Sequence, residues 1–177
     1  MRKILIVIIG ILTCSWGYAQ SRVRVNLTIP PVAIINIIST GNSELALLNP
    51  TEAGDMVNNA KVDNTKWLNF TSVVNRNTSR VIQANISAGT LPTGVELKLG
   101  VSGSIGGTGL LGVPTATESS PISLTHSPQT IIGSIGGAAT GIGVTGYRLN
   151  YSLGITDYSL LTQYNGTLEI TFTIRDN

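Results

Sequence analysis

Past residue 14 the chain contains no cysteine, because its single one is Cys14. A disulfide within the chain is therefore excluded. Small exported domains that cannot build a core usually need such staples, so this fold must be held by apolar burial. Histidine is equally scarce: His126 stands alone, which excludes histidine clusters for a metal. Charge is low, at 11% of residues, against roughly 25% in an average soluble domain. Lys and Arg number 11 against 9 Asp and Glu, and Arg2 and Lys3 account for the excess. Without them the chain is neutral, and nucleic-acid binding has no electrostatic support. Arg22, Arg24, Arg76 and Arg80 are the nearest approach to a basic group, and they read as solvated strand positions. Asp55, Asp63, Asp157 and Asp176 are scattered, with no dense acidic loop of the calcium-binding kind. After Ala19 no stretch is long and apolar enough to span a bilayer.

What is present begins at the first residues. Arg2 and Lys3 make a positive start, residues 4–12 an apolar run, and Gly17-Tyr18-Ala19 a small-x-small cleavage site. This pattern predicts a secretory signal peptide over residues 1–19. Residues 20–177 are then expected to form a single domain, secreted or held at the outer surface of a bacterial cell. A cut before Cys14, leaving a lipid anchor there, is a minor alternative, since Thr13 stands where Gly or Ala is expected.

The rest of the chain alternates apolar and polar residues with period two, the mark of half-buried strands. Val23, Val25, Leu27 and Ile29 face one way, and Arg24, Asn26 and Thr28 the other. Pro30-Pro31 ends that segment. Residues 32–38 are almost wholly apolar. Residues 45–48 read as a short strand, residues 51–64 as turn-rich, and residues 67–74 as a strand followed by a loop near 75–79. Ile82, Ala84 and Ile86 share a face, as do Val95, Leu97, Leu99 and Val101. Residues 122–124 and 129–132 read as short strands. Tyr147, Leu149, Tyr151, Leu153 and Ile155 form another inward row, and Leu168, Ile170, Phe172 and Ile174 the last. No segment carries an apolar stripe at helical spacing. Seven to ten strands separated by turn signals predict an all-β fold, an Ig-like or related Greek-key β-sandwich.

The piece Gly-Ser-Ile-Gly-Gly occurs twice, at 103–107 and 133–137. Neither copy stands between a strand and a helix or ends in Gly-Lys-Ser/Thr, so neither is a nucleotide loop. They read as equivalent loops, or as glycine-rich strands able to pair closely.

Catalytic chemistry finds little footing. Ser123, Ser127 and Ser134 lie near His126 in sequence, but none sits in a nucleophile motif. Spacing picks no acid pair for glycoside hydrolysis from Glu44, Glu52, Asp55, Glu96, Glu118, Asp157 and Glu169. No catalytic, metal-binding or cofactor-binding residue is assigned, and the chain reads as a non-enzyme. Trp67, the one tryptophan after the signal, reads as a core anchor rather than a carbohydrate platform.

The segment Val23-Arg24-Val25-Asn26-Leu27-Thr28-Ile29 and the closing segment Tyr164-Asn165-Gly166-Thr167-Leu168-Glu169-Ile170-Thr171-Phe172-Thr173-Ile174 resemble exported bacterial β-sandwich proteins of the fimbrial-subunit and spore-coat-U-like type. The resemblance implies an Ig-like fold. It also implies polymers in which the N-terminal extension of one subunit completes the sheet of the next. The chain lacks the disulfide that many such subunits carry. Apart from any family, residues 20–29 are an alternating peptide suited to β-augmentation, with the alternative that they form the first strand of their own sandwich. The expected function is a non-catalytic, fimbria-like structural or adhesion protein of the cell surface, whose partners are copies of itself or other surface subunits. An extracellular glycan- or protein-binding module is the alternative, and an exposed Trp67 beside Tyr147, Tyr151 or Tyr158 would favour it. A secreted hydrolase comes third.

Overall fold

A computed structural model describes residues 21–39, 41–58 and 61–177. The expected signal segment, residues 1–19, and the Cys14 anchor position lie outside the described residues. The fold is all-β. Its strands are β1 (Val32–Ile38), β2 (Asp63–Val73), β3 (Arg80–Ala88), β4 (Val95–Ser104), β5 (Thr108–Gly109), β6 (Val113–Pro114), β7 (Ile122–Ser123), β8 (Gln129–Ile135), β9 (Ala138–Ala139), β10 (Tyr147–Ile155) and β11 (Glu169–Asp176). Among the described residues the total is eleven, against the seven to ten expected. The surplus comes from the two-residue pieces β5, β6, β7 and β9, which are too short to leave a periodic signal. The segment at 45–48, expected as a strand, contributes only a bridge from Leu48 to Asn58.

Two antiparallel sheets result. In the seven-stranded sheet β2 has β1 on one edge, and β10 followed by β9 on the other. β10 continues to β4 and then β7, while β9 pairs β5. The four-stranded sheet runs β11-β3-β8-β6. The period-two rows point between the sheets. Leu68, Phe70, Leu97, Leu99, Val101, Tyr147, Leu149 and Tyr151 come from one sheet, and Ile82, Ala84, Ile86, Ile131, Ile132 and Ile135 from the other; together they form one buried cluster. Each fully buried large apolar side chain in it contributes about 1.5–3 kcal/mol.

Trp67 is not in that cluster. Strand parity fixes this: Leu68 and Phe70 face inward, so Trp67 between them must face out. It sits half-buried on the outer face, level with Ile38 on β1 and Arg148 on β10. The sequence alone did not reveal this, because a tryptophan in an apolar stretch fits either face.

The glycine-rich repeats are not two equivalent loops. The first copy leaves β4 for β5, the second leaves β8 for β9, and β5 pairs β9 directly. Between β9 and β10 the chain steps out of the sheet and returns. Thr140 lies opposite Phe70, donating its amide to the Phe70 carbonyl at 3.0 Å, and Tyr147 lies opposite Leu68. At the return point Gly146 presses on the Leu68 carbonyl, where any Cβ would collide with backbone. Glycine is therefore required there for close approach and not for flexibility.

Candidate functional site

The two sides of the sandwich end differently. On one side the segment between β6 and β8 stitches the sheets together. Ala116 is fully buried, and its carbonyl accepts from Val101 of the first sheet at 2.7 Å. Its neighbour Thr115 donates to Ile131 of the second sheet at 2.9 Å. Further along, Leu124 donates to the Leu97 carbonyl at 2.8 Å, and Thr125 accepts from Ile86 at 2.8 Å. That seam is closed by backbone bonded to both sheets.

On the opposite side lie the edge strands β1 and β11, side by side. No backbone hydrogen bond joins them among the described residues. Their inward residues, Ile35 and Ile37 on β1 and Ile170, Phe172 and Ile174 on β11, pack on the core but are only partly covered. The inward rows of central β3 and β4 are buried almost completely. This seam therefore exposes apolar side chains and two unpaired strand edges, the feature that proteins normally cover.

For residues 20–29 the sequence leaves two readings, a peptide suited to strand addition and the first strand of the domain. Residues 21–30 form no strand in the structure, and every one is exposed. Val23, Val25, Leu27 and Ile29 are 84%, 83%, 83% and 71% exposed. Pro30 and Pro31, which lack amide donors, separate this alternating segment from β1. The chain thus carries a free, two-faced arm beside an open seam.

Arg80 marks the point where the arm begins. It is buried although charged, because parity with Ile82, Ala84 and Ile86 turns it inward. Its Nε donates to Asp176 Oδ1 at 2.8 Å, and its Nη1 donates to the Val32 carbonyl. It therefore ties the first residue of β1 to the last of β11. Arg80 is thus not one of the solvated arginines its charge predicts, and its position two residues before Ile82 is the signal in the sequence that it faces inward.

Of the residues weighed for catalysis, Ser123 and Glu96 are joined by a hydrogen bond, and neither is joined to His126 among the described residues. His126 Nδ1 lies 3.1 Å from the Ile86 carbonyl. Ser123 donates to Glu96, which also pairs with Lys98 at 3.0 Å. Glu118 accepts from Arg148 at 3.0 Å and Asn150 at 2.7 Å. Glu44 pairs with Lys61 at 3.7 Å, and Asp157 caps the short 3-10 turn at Tyr158–Leu160 by accepting from Ser159 at 2.9 Å. Among the described residues, no group of three or more His, Cys, Asp or Glu is placed to hold a metal. The aromatic patch proposed for glycan does not form around Trp67 from Tyr147 and Tyr151, which are both in the core. Tyr158 accepts instead from the Val57 amide at 3.4 Å.

A polar pair sits at the edge of the core. Lys66 faces inward beside Asp63, at 3.3 Å, with both side chains 9% exposed. Burial opposes charge on Asp63, yet the Thr65 hydroxyl and amide, which donate to its Oδ1 at 2.7 and 2.9 Å, together with nearby Ser43 and the Lys66 ammonium, outweigh it and hold the carboxyl well below its ordinary value of 3.8. Hydrogen bonds from Ser123 and Lys98 lower Glu96, and those from Arg148 and Asn150 lower Glu118. The unfolded chain therefore takes up protons before the folded one as pH falls. The stability these groups supply is fully present above the ordinary carboxylate values and is lost as pH drops through the lower folded ones. Urea unfolding should show roughly 1–3 kcal/mol less stability at pH 3 than at pH 6. Asp63→Asn should flatten that dependence, and an unchanged pH slope in this variant would remove Asp63 from the account.

No protein-family model, no curated protein and no solved structure matches the chain.

Proposed function

We propose that the protein is a non-catalytic, exported structural subunit of a fimbria-like surface assembly. In it the arm of one copy, residues 21–29, adds as a strand to the open seam between β1 and β11 of the next. The observation that carries this reading is the pairing of opposites in one chain: an exposed alternating apolar row and a partly covered apolar seam flanked by free edges. The arm spans about 30 Å when extended, enough to run the length of β11. Each of its four apolar residues gains about 1.5–3 kcal/mol on burial, and the edge amides and carbonyls find partners. Those gains must exceed an association cost of about 4–15 kcal/mol. A contact between two different surfaces of the same chain is head-to-tail, and it repeats into a filament when its rotation does not close a ring.

Light scattering on the chain from Gln20 and on the chain from Val32 tests the reading. The longer chain should form oligomers that grow with concentration, while the shorter one stays folded and monomeric. Equal masses for both would end the proposal. Unfolding of the shorter chain would instead place residues 21–29 in their own core.

A further inference from the structure

We infer that the arm is barred from completing its own domain, and that Pro30-Pro31 and the register between arm and β1 are what bar it. The inference rests on strand addition at the seam and concerns which copy supplies the strand. The seam begins beside the arm's own root, so the nearest arm is always the chain's own. Folding back along the free edge of β1 would need only a hairpin at residues 30–31, and the structure shows none.

The root is fixed. Val32 pairs with Val73, and its carbonyl accepts from Arg80. The shortest hairpin would then set Ile29 opposite Val32 across a two-residue loop. Such loops are type I′ or II′ turns, which need positive φ at the first loop residue or at both. Proline holds φ near −65°, so Pro30 excludes both. The register is wrong as well. Ile29 opposite Val32 puts Asn26 opposite Ile35 and Arg24 opposite Ile37. Ile35 and Ile37 are the inward residues of β1, facing the side of Phe70 and Leu68. The arm's polar row would enter the core and its apolar row would face solvent, the flip produced by any one-residue slip.

A three-residue loop, residues 30–32, has the correct register, with Leu27 opposite Ile35 and Val25 opposite Ile37. It requires a right-handed helical conformation at the first two positions and a left-handed one at the third. Pro31 drives residue 30 away from the helical region, and Val32 is β-branched, the poorest kind of residue for positive φ. The other three-residue loop of correct register, residues 29–31, needs the left-handed conformation at Pro31, whose φ is held near −65°. A five-residue loop at residues 27–31 leaves β1 on β2 but spends Leu27 and Ile29 in the loop, so that only Val23 and Val25 lie along β1. An arm from a second copy meets none of these constraints, because nothing ties its register to the β1 it joins.

The test uses the chain from Gln20, a double variant and a single variant as its control, refolded at equal concentration. Pro31→Asn with Val32→Gly makes a Pro-Asn-Gly loop suited to the three-residue turn. It should convert oligomers into folded monomers, with self-association at least tenfold weaker and the amides of residues 23–29 protected from hydrogen exchange. Val32→Gly alone keeps Pro31, which still bars residue 30 from the helical region, and should associate as the parent does. A Pro31→Asn/Val32→Gly variant that folds yet associates like the parent, with unprotected arm amides, would overturn the inference while leaving strand addition intact. The parent itself gives a second reading that needs no variant to fold. In its dilute monomer the amides of residues 23–29 should exchange as in a free peptide, and protection there would overturn the inference. A parent that stays monomeric and binds no added peptide of residues 21–29 would overturn strand addition and this inference together.

Discussion

Leu27→Asp is expected to weaken self-association by at least about 100-fold while leaving the melting of the isolated domain unchanged. Leu27 is 83% exposed in the free chain, where surface substitutions usually fall within about 0.5 kcal/mol. In the proposed assembly it is buried in the seam. Its loss removes about 1.5–3 kcal/mol of apolar burial, and the new carboxylate must be desolvated without a partner, which costs more again. Each 1.4 kcal/mol is about tenfold in affinity. Asn26→Asp is the control, because Asn26 lies on the arm's polar row and stays near water. Sedimentation measurements over a range of concentration separate the two. If both variants weakened association equally, charge and not the apolar row would be responsible.

The second large effect lies in the core. Tyr147→Ala should destabilise the domain by about 3–5 kcal/mol, lowering its melting temperature by on the order of 10 °C for a chain of this size. The Tyr147 ring is 2% exposed and stacks on Phe70, with centroids 6.1 Å apart and planes 13° apart. Its hydroxyl donates to the carbonyls of Leu111 and Gly112 at 3.0 and 3.1 Å. The residue thus reaches from β10 to the segment that leads into β6 of the other sheet. Truncation leaves a cavity beside Phe70 and removes that cross-sheet link. Tyr147→Phe keeps the packing and should lose only about 1 kcal/mol, the net worth of a typical hydrogen bond. Urea midpoints for the two variants read the difference. A Tyr147→Ala loss no larger than that of Tyr147→Phe would mean that the ring contributes little and the hydroxyl most.

Much of the candidate site was legible as parts. The alternation at 23–29 and the Pro30-Pro31 stop are visible in the letters, and so is the closing row Ile170, Phe172 and Ile174. What could not be read was their relation. The same alternation fits a first strand of the domain and a free arm equally well, because a strand pattern reports competence to pair and not the identity of the partner. Arg80 illustrates the same gap at one residue. Its parity with Ile82 says inward, its charge says outward, and the Val32 carbonyl and Asp176 that decide the matter lie far away in sequence.

By itself, then, the sequence determined the strand faces and most of the core rows. Period-two alternation assigns each side chain a side of its strand, and apolar burial turns the apolar side inward in those strands that join the sandwich with only one side apolar. It also determined that no disulfide supports the domain. The tertiary structure alone decided which strands are neighbours, which seam is stitched by Ala116 and which stays open between β1 and β11, that Trp67 faces outward, and that residues 21–29 remain outside. Strand pairing is made by backbone amides and carbonyls, which nearly every residue carries alike. Where both faces of a segment are apolar, as at Val32–Ile38, even the inward side is settled only by the register with β2.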